Sequence, residues 1–232
     1  MLRNAEGLVR LGMLALPLAG LLALVGLYSA VKLGSGGILA TGDNRAIVSA
    51  GYLVSVLLGS MLALTVLIFG VVALYAYLAN GGQRTLALGA MVSSIVGIAL
   101  MLSRLGLFAY AVPALSRSFL DDNPESIRIV DSIFAGPLET VESVSILLYS
   151  VGFVLFGVAI WRSGVLPRWA GVLVAVHAPL VSGPFPLVGS VAGALLALAG
   201  GGWIAFSVLR DTPGQRESLA TPRAGRANSR EI

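Results

Sequence analysis

The sequence predicts an all-α membrane protein, a bundle of six transmembrane helices, from three observations. Hydrophobic residues make up 57% and charged residues 11% of the 232 residues, whereas roughly 25% of an average soluble protein is charged. The mean hydropathy is +0.92. Long apolar stretches separate the charges, and a spanning helix needs roughly 20 such residues. This composition excludes a disordered chain, a nucleic-acid-binding domain and an ordinary cytosolic enzyme.

Charged residues mark the ends of the predicted spans, which form one transmembrane domain over residues 1–210. The spans cover about residues 9–31, 46–79, 85–112, 138–161, 169–184 and 186–209. The first apolar run could instead belong to a signal peptide, but its length and poor cleavage site favour an uncleaved helix. Residues 211–232 lack apolar periodicity, which predicts a disordered cytoplasmic tail.

Two of the spans have unusual lengths. The second is too long for a helix perpendicular to the membrane, so it is strongly tilted or its first turns project outside the bilayer. The fifth ends near Pro179, Pro184 and Pro186, which makes it short or kinked. Such interrupted helices can mark transporter sites, but a tight turn into the last helix is the favoured interpretation.

The basic residues predict that both termini are cytoplasmic. Ten of the fifteen fall on the side of the termini, four on the other side, and Arg104 lies within a span. Cytoplasmic loops carry the excess of Lys and Arg, so the net charge of +4 reflects orientation. The external loop over residues 116–136 contains the segment DNPESIRIVDSIF, which forms either a short amphipathic helix on the outer surface or a solvated loop.

Small residues recur four apart on several helices. The ridges are Gly51, Ser55, Gly59 and Ala63; Gly89, Ser93 and Gly97; and Gly189, Gly193, Ala197 and Gly201. Such ridges let helix backbones approach closely in lipid. They form either an oligomer interface, with the Gly189/Gly193 ridge as the candidate, or packing faces inside one bundle, which is the favoured interpretation.

Arg104 is the most informative residue, because a charge inside a span costs several kcal/mol unless it is paired or hydrated. It lies seven residues after Gly97, on the same helix face, and near the outer edge of the hydrocarbon. Glu142, near the start of the fourth span, has the same predicted depth. The charges form either a polar pocket open to the outside or a structural ion pair, and the structural pair is slightly favoured.

Three further residues complete the candidate ligand-binding set. Glu139 lies three residues before Glu142, and Tyr149 lies two turns after it. His177, the single histidine, has a predicted position near mid-membrane, where it is either a proton-responsive group or a hydrogen-bonded packing residue.

Other chemistry is not expected. The chain has no cysteine and one histidine, so no metal ligand set is predicted. Neither a serine-protease motif nor HExxH occurs in a helix, so we predict no catalytic residue. We also predict no cofactor and no nucleic-acid partner; the expected partners are the lipid bilayer and a small polar ligand.

The segment from Leu148 to Leu180 contains a long apolar helix, the turn RSGVLPRWAGVL and another apolar helix. It resembles the bacterial multi-pass membrane family called domain of unknown function 4386, and a looser resemblance covers most of the first 210 residues. The resemblance implies about six helices in a bacterial plasma membrane and assigns no site residue. Trp161 and Trp169 flank the turn and are typical interfacial anchors.

Three functions follow as hypotheses. The first is a protein that binds or moves a small polar ligand through an outward-facing Arg104/Glu142 pocket. The second is a structural or regulatory membrane partner with a sealed bundle. The third, an intramembrane enzyme, is the least favoured.

Overall fold

The computed structural model describes residues 2–33, 43–123, 125–134, 136–181 and 186–210. The regular structure in these ranges is helical throughout, which confirms the predicted all-α class. The predicted disordered tail, residues 211–232, and Pro184 of the predicted kink lie outside these ranges.

The helices follow one another along the chain, and π-helical segments join some of them. The chain begins with α1 (Leu2–Met13), α2 (Ala15–Leu33) and α3 (Asn44–Ile47). Helix α4 (Ala50–Val54) continues through the π-helical segment Ser55–Met61 into α5 (Leu62–Leu78). The π-helical segment Ala79–Gln83 leads to α6 (Arg84–Gly106), and the segment Leu107–Ala111 leads to α7 (Val112–Leu120). The last helices are α8 (Glu125–Phe134), α9 (Pro137–Ser163), α10 (Arg168–Val181) and α11 (Pro186–Arg210).

Within the described ranges, four helical stretches are long and apolar enough to cross a membrane. They are Gly7–Leu33, Ala50–Leu120, Leu138–Ser163 and Leu187–Arg210, and Arg168–Val181 is a shorter apolar helix. These apolar helices are compatible with a membrane protein.

The stretch Ala50–Leu120 is a hairpin. Gly82 has a φ of 82°, a left-handed conformation that glycine adopts without steric cost, and the chain reverses there. At the far end, the Tyr52 hydroxyl donates a 3.0 Å hydrogen bond to the Phe108 carbonyl. Residues 56 positions apart therefore meet, which a straight helix would separate by about 84 Å.

Two predicted spans are divided in the structure. The first is interrupted at Leu14, because Pro17 has no backbone N–H to donate to the Met13 carbonyl. The second is interrupted at Val48 and Ser49, and the Ser49 hydroxyl caps α4 by accepting a 3.3 Å hydrogen bond from the Tyr52 backbone N–H. Residues 46 and 47 of the predicted second span thus belong to the separate helix α3, and the remainder continues from Ala50 to Leu78.

Asp43 caps α3 by accepting a 3.1 Å hydrogen bond from the Ala46 backbone N–H. The same carboxylate lies 3.1 Å from the Lys32 ammonium at the end of α2. The hydrogen bond from the Ala46 N–H is the larger cause, and the bond from the Lys32 ammonium the next, of a pKa of Asp43 below its usual range. Asp43 therefore connects the end of α2 with the start of α3, on either side of residues 34–42.

The remaining predicted spans differ less from the structure. The third continues beyond residue 112 as α7, which ends at Leu120. The fourth agrees closely with α9, because Gly136 and Gly164 both have positive φ and end the helix at each side. The segment DNPESIRIVDSIF contains the helix α8, in which Ser126 and Val130 are buried, so this part of the predicted external loop is helical.

Six helical segments form a ring in chain order. Helix α2 packs on the segment Ser55–Met61 and α5; α5 packs on α6, α6 on α9, α9 on α10, α10 on α11, and α11 returns to α2. Neighbouring helices are antiparallel, as the contacts of Gly97 with Tyr149 and of Ser94 with Gly152 show for α6 and α9. The ring therefore encloses a central space that all six segments can line.

Several glycines of the small-residue ridges lie at contacts between helices of this ring. A β-carbon on Gly59 would meet the backbone of Gly26, and one on Gly97 would lie 2.5 Å from the Tyr149 backbone nitrogen. Gly189 and Gly193 face Leu180 and Val181 of the same chain. These glycines therefore make the contacts between helices of one chain that the favoured interpretation of the ridges predicts.

The ring interior differs between its two ends. At the end near the chain termini it is filled by buried side chains that include Leu74, Phe153, Phe156 and Ile160. The outward faces expose large apolar side chains such as Phe69, 64% exposed, and Val188, 70% exposed. Apolar surface of this extent fits contact with lipid.

Candidate functional site

A cavity of about 400 Å³ lies inside the ring, at the end away from the chain termini. Its size falls in the range of small-molecule sites, roughly 300–1,000 Å³. All six ring segments line it. Among its lining residues are Ala23, Ser60, Arg104, Glu142, Ser145, Tyr149, His177, Val181, Ser190 and Ala197.

Arg104 and Glu142 meet at this cavity. The Arg104 Nη2 atom lies 2.8 Å from the Glu142 Oε1 atom, and each side chain is about one-third exposed. The close contact of Gly97 with the Tyr149 backbone sets this register, because Arg104 and Glu142 lie two turns from Gly97 and Tyr149 in opposite directions along antiparallel helices. The helix crossing thus places the two charges face to face.

The rest of the Arg104 guanidinium is only partly satisfied. Its central carbon lies 4.7 Å from the centroid of the Phe108 ring, a cation–π distance. Its Nε atom is buried and has no hydrogen-bond partner among the described residues. A guanidinium has five N–H donors, so pairing with one carboxylate oxygen leaves donors for another acceptor.

A second polar pair lies deeper in the same cavity. The Tyr149 hydroxyl lies 3.0 Å from His177 Nε2, and His177 Nδ1 lies 2.6 Å from the Val174 carbonyl oxygen. A carbonyl can only accept, so Nδ1 carries a proton. In the neutral imidazole, Nε2 then accepts a hydrogen bond that the Tyr149 hydroxyl donates. Both side chains are buried, and the Tyr149 hydroxyl keeps a lone pair for a further donor.

The two pairs lie at different depths. Glu142 and Tyr149 lie seven residues apart on α9, which corresponds to about 10 Å along the helix axis. The Ser145 hydroxyl lies between them and donates a 2.7 Å hydrogen bond to the Glu142 carbonyl. Below this level, Phe153 packs on both Tyr149 and His177, with centroid distances of 4.8 and 4.6 Å. Phe153 itself does not line the cavity; it packs beneath Tyr149 and His177, which do.

The structure brings four of the five sequence-predicted residues to one cavity: Arg104, Glu142, Tyr149 and His177. Glu139 is exposed and does not line it; it lies about one helical turn before Glu142 and is rotated from it by about 60° around the helix axis. Sequence reasoning placed His177 apart from the other residues, and it missed Phe108 and Phe153. The four-residue spacing of Phe108 after Arg104 is the signal that could have indicated the cation–π contact.

The described residues contain no group of three or more His, Asp or Glu side chains arranged to hold a metal ion. No protein-family model, curated protein or solved structure matches the chain. The function is therefore argued from the cavity and its residues.

Replacing Tyr149 by Phe is expected to lower the free energy of unfolding by about 1 kcal/mol, because His177 Nε2 loses its buried partner. Unfolding of the purified protein in mixed micelles of detergent and dodecyl sulfate measures the effect. Tyr110→Phe is the matched control, since Tyr110 is 67% exposed. Equal stabilities of the two variants would show that the Tyr149–His177 contact contributes nothing.

Proposed function

We propose that the protein is a multi-pass bacterial plasma-membrane protein with six crossings and both termini in the cytoplasm. The hairpin at Gly82 supports two crossings from the stretch Ala50–Leu120, and α10 supplies a further short one. The antiparallel ring in chain order is the arrangement that six successive crossings would produce. Membership of the family named above stays a prediction.

Topology can be tested with a reporter fused after Ile232. A reporter active only in the cytoplasm is expected to be active, because the basic residues concentrate on the side of the termini. A second fusion, within the segment 121–124 between α7 and α8, is the control and is expected to report an external position. The opposite result would reverse the side to which the cavity faces.

Inside this topology we propose that the protein binds a small polar ligand in the outer half of the ring. The carrying observation is the Arg104–Glu142 pair on the wall of the cavity, with about a third of each side chain exposed. Ionisable residues in spans are costly and mark ligand or ion pathways. The packing of Phe153 beneath Tyr149 and His177 favours a binding pocket closed towards the inside over a continuous channel.

Access from outside is the decisive property, and the absence of native cysteine makes it measurable. Ala23 of α2 lines the cavity, whereas Val25 of the same helix does not and is 49% exposed on the outer face. In intact cells, a membrane-impermeant methanethiosulfonate is expected to label Ala23→Cys and to leave the lipid-facing Val25→Cys unlabelled, because the reagent needs a hydrated thiolate. Absence of labelling at Ala23→Cys would overturn the pocket.

One observation favours a second function, that of a sealed structural partner. Arg104 already has a counter-charge and an aromatic neighbour within its own chain. An ion pair whose role is only to connect α6 with α9 would have the same contacts. This alternative predicts that the impermeant reagent reaches neither cysteine variant. The same labelling experiment therefore decides between the two functions.

A further inference from the structure

The cavity wall has two chemically different sides. The residues that carry charge or can titrate, Arg104, Glu142, Tyr149 and His177, all belong to α6, α9 and α10. Helices α2, α5 and α11 and the segment Ser55–Met61 contribute apolar residues with two serines, Ser60 and Ser190. A ligand that fits both sides has a polar group and an apolar body, so it is an amphiphile.

The sign of the ligand's charge can be inferred from the ion pair, because only one of its two members can become neutral. An arginine guanidinium stays protonated at every accessible pH, whereas a carboxylate can take up a proton. A cationic ligand on Glu142 would leave Arg104 as an unbalanced second cation. An anionic ligand on Arg104 leaves Glu142 unbalanced, and protonation of Glu142 removes that excess charge. The pair can therefore adapt to an anion but not to a cation.

We propose that the cavity takes up an amphiphilic organic anion whose acidic group replaces the Glu142 carboxylate on Arg104 while Glu142 takes up one proton. No bond between heavy atoms changes; a hydronium ion of the solvent gives up its proton, one O–H bond forms on a Glu142 carboxylate oxygen, and the net charge of the site stays zero. The Arg104 Nε atom, which has no hydrogen-bond partner in the part of the chain that the structure describes, supplies a further donor for the incoming anion. The inference rests on the proposed ligand-binding function and adds the class of ligand.

Other charged groups on neighbouring elements do not replace Arg104 in this role. Helix α9 packs against α5, α6, α8, α10 and the segment Ala79–Gln83. Their titratable or charged residues are Tyr75, Tyr77, Arg84, Arg104, Glu125, Arg128, Asp131, Arg168 and His177. Of these, Arg104 is the group within ion-pair distance of Glu142 among the described residues, and Arg128 pairs with Glu125 at 3.2 Å. Glu142 is therefore the carboxylate that loses its partner when an anion binds Arg104.

The test is calorimetric titration of the full chain in lipid nanodiscs with hexanesulfonate, which stays ionised over the whole pH range used. Empty nanodiscs correct for partition into lipid, and hexanol is the uncharged probe of similar length. The affinity for hexanesulfonate is expected to rise by up to about tenfold for each unit by which the pH is lowered, the slope of a binding step that takes up one proton. The affinity for hexanol is expected to stay constant.

Variants separate the role of each residue. Glu142→Gln is expected to bind hexanesulfonate with an affinity independent of pH, because the amide imitates the protonated carboxyl group. Glu139→Gln, one turn away and outside the cavity, is expected to keep the parent pH dependence. Arg104→Gln is expected to lose hexanesulfonate binding and to retain hexanol binding; gel filtration of each variant verifies its fold.

The outcomes distinguish the two proposals. Hexanesulfonate binding that does not depend on pH in the parent chain would overturn the exchange with Glu142. Binding of hexanol but not of hexanesulfonate would overturn the anion while leaving a ligand pocket. Absence of binding by both probes, with Ala23→Cys labelled from outside, would overturn the amphiphilic anion alone; an unlabelled Ala23→Cys would overturn the proposed function itself.

Discussion

Replacement of Glu142 by leucine is expected to destabilise the protein by about 3 kcal/mol, since removing one partner of a buried pair leaves the other charge uncompensated. The Arg104 side chain is about one-third exposed, which places the cost at the lower end of the range for buried pairs. Unfolding in mixed micelles of detergent and dodecyl sulfate measures the change in free energy.

The double variant, with leucine at both Arg104 and Glu142, is expected to recover most of this loss. Two apolar residues of similar volume leave no buried charge, and such replacements are often neutral or stabilising. The coupling between the positions is then 0.5–3 kcal/mol, as is usual for contacting residues. Purely additive effects would show that the 2.8 Å contact carries no interaction energy.

Glu139→Leu is the matched control for the pair. It removes a carboxylate from the same helix three residues earlier, in the first turn, where an acidic side chain also interacts favourably with the helix dipole by about 0.3–1 kcal/mol. The control should therefore cost less than 1 kcal/mol. A Glu139 effect as large as that of Glu142 would assign the loss to the helix end instead of to Arg104.

The comparison of sequence and structure shows what spacing alone can predict. Depth counting placed Arg104 and Glu142 at one level because charges at the span ends fix where each helix enters the hydrocarbon. The direction in which each side chain points around the helix axis was harder to predict. Glu139 and Glu142 are neighbours on one helix, yet of the two only Glu142 lines the cavity.

Contacts between helices depend on register, which the sequence did not reveal. His177 reaches Tyr149 because α9 and α10 pack closely where Gly157 and Gly171 oppose each other. A pattern of small residues in the sequence shows that such a contact face is present, but it does not show which helix packs against it. Gly89 makes the same point, because it belongs to the predicted ridge and yet has no atom near its missing β-carbon.

The close approach at Gly97 leads to the second large expected effect. A β-carbon there would lie 2.5 Å from the Tyr149 nitrogen and 3.0 Å from the Ser145 carbonyl oxygen. Both atoms belong to the backbone of α9, so the helices themselves must move apart to relieve the overlap. Overpacking of this kind usually costs 1–3 kcal/mol, and we expect Gly97→Ala to cost about 2 kcal/mol and Gly97→Val to cost more.

Gly89→Ala is the control on the same helix. Apart from its own helix turn, no atom of the described residues lies within 4 Å of the added β-carbon, and alanine favours a helix over glycine by about 1 kcal/mol. The control is therefore expected to be neutral or stabilising, so the same chemical change at two positions of α6 should have opposite signs. Equal effects at both positions would mean that helix propensity, and not contact with α9, controls the stability of this pair.

Gly97→Ala should also disturb the site two turns away. Separation of α6 from α9 lengthens the Arg104–Glu142 contact, so the coupling measured by the double variant should fall in the Gly97→Ala background. This outcome would connect the small-residue ridge with the charged pair, because the glycine that allows the backbones to touch is then what holds the two charges together. An unchanged coupling, together with a large loss of stability, would show that the pair keeps its geometry independently of the crossing at Gly97.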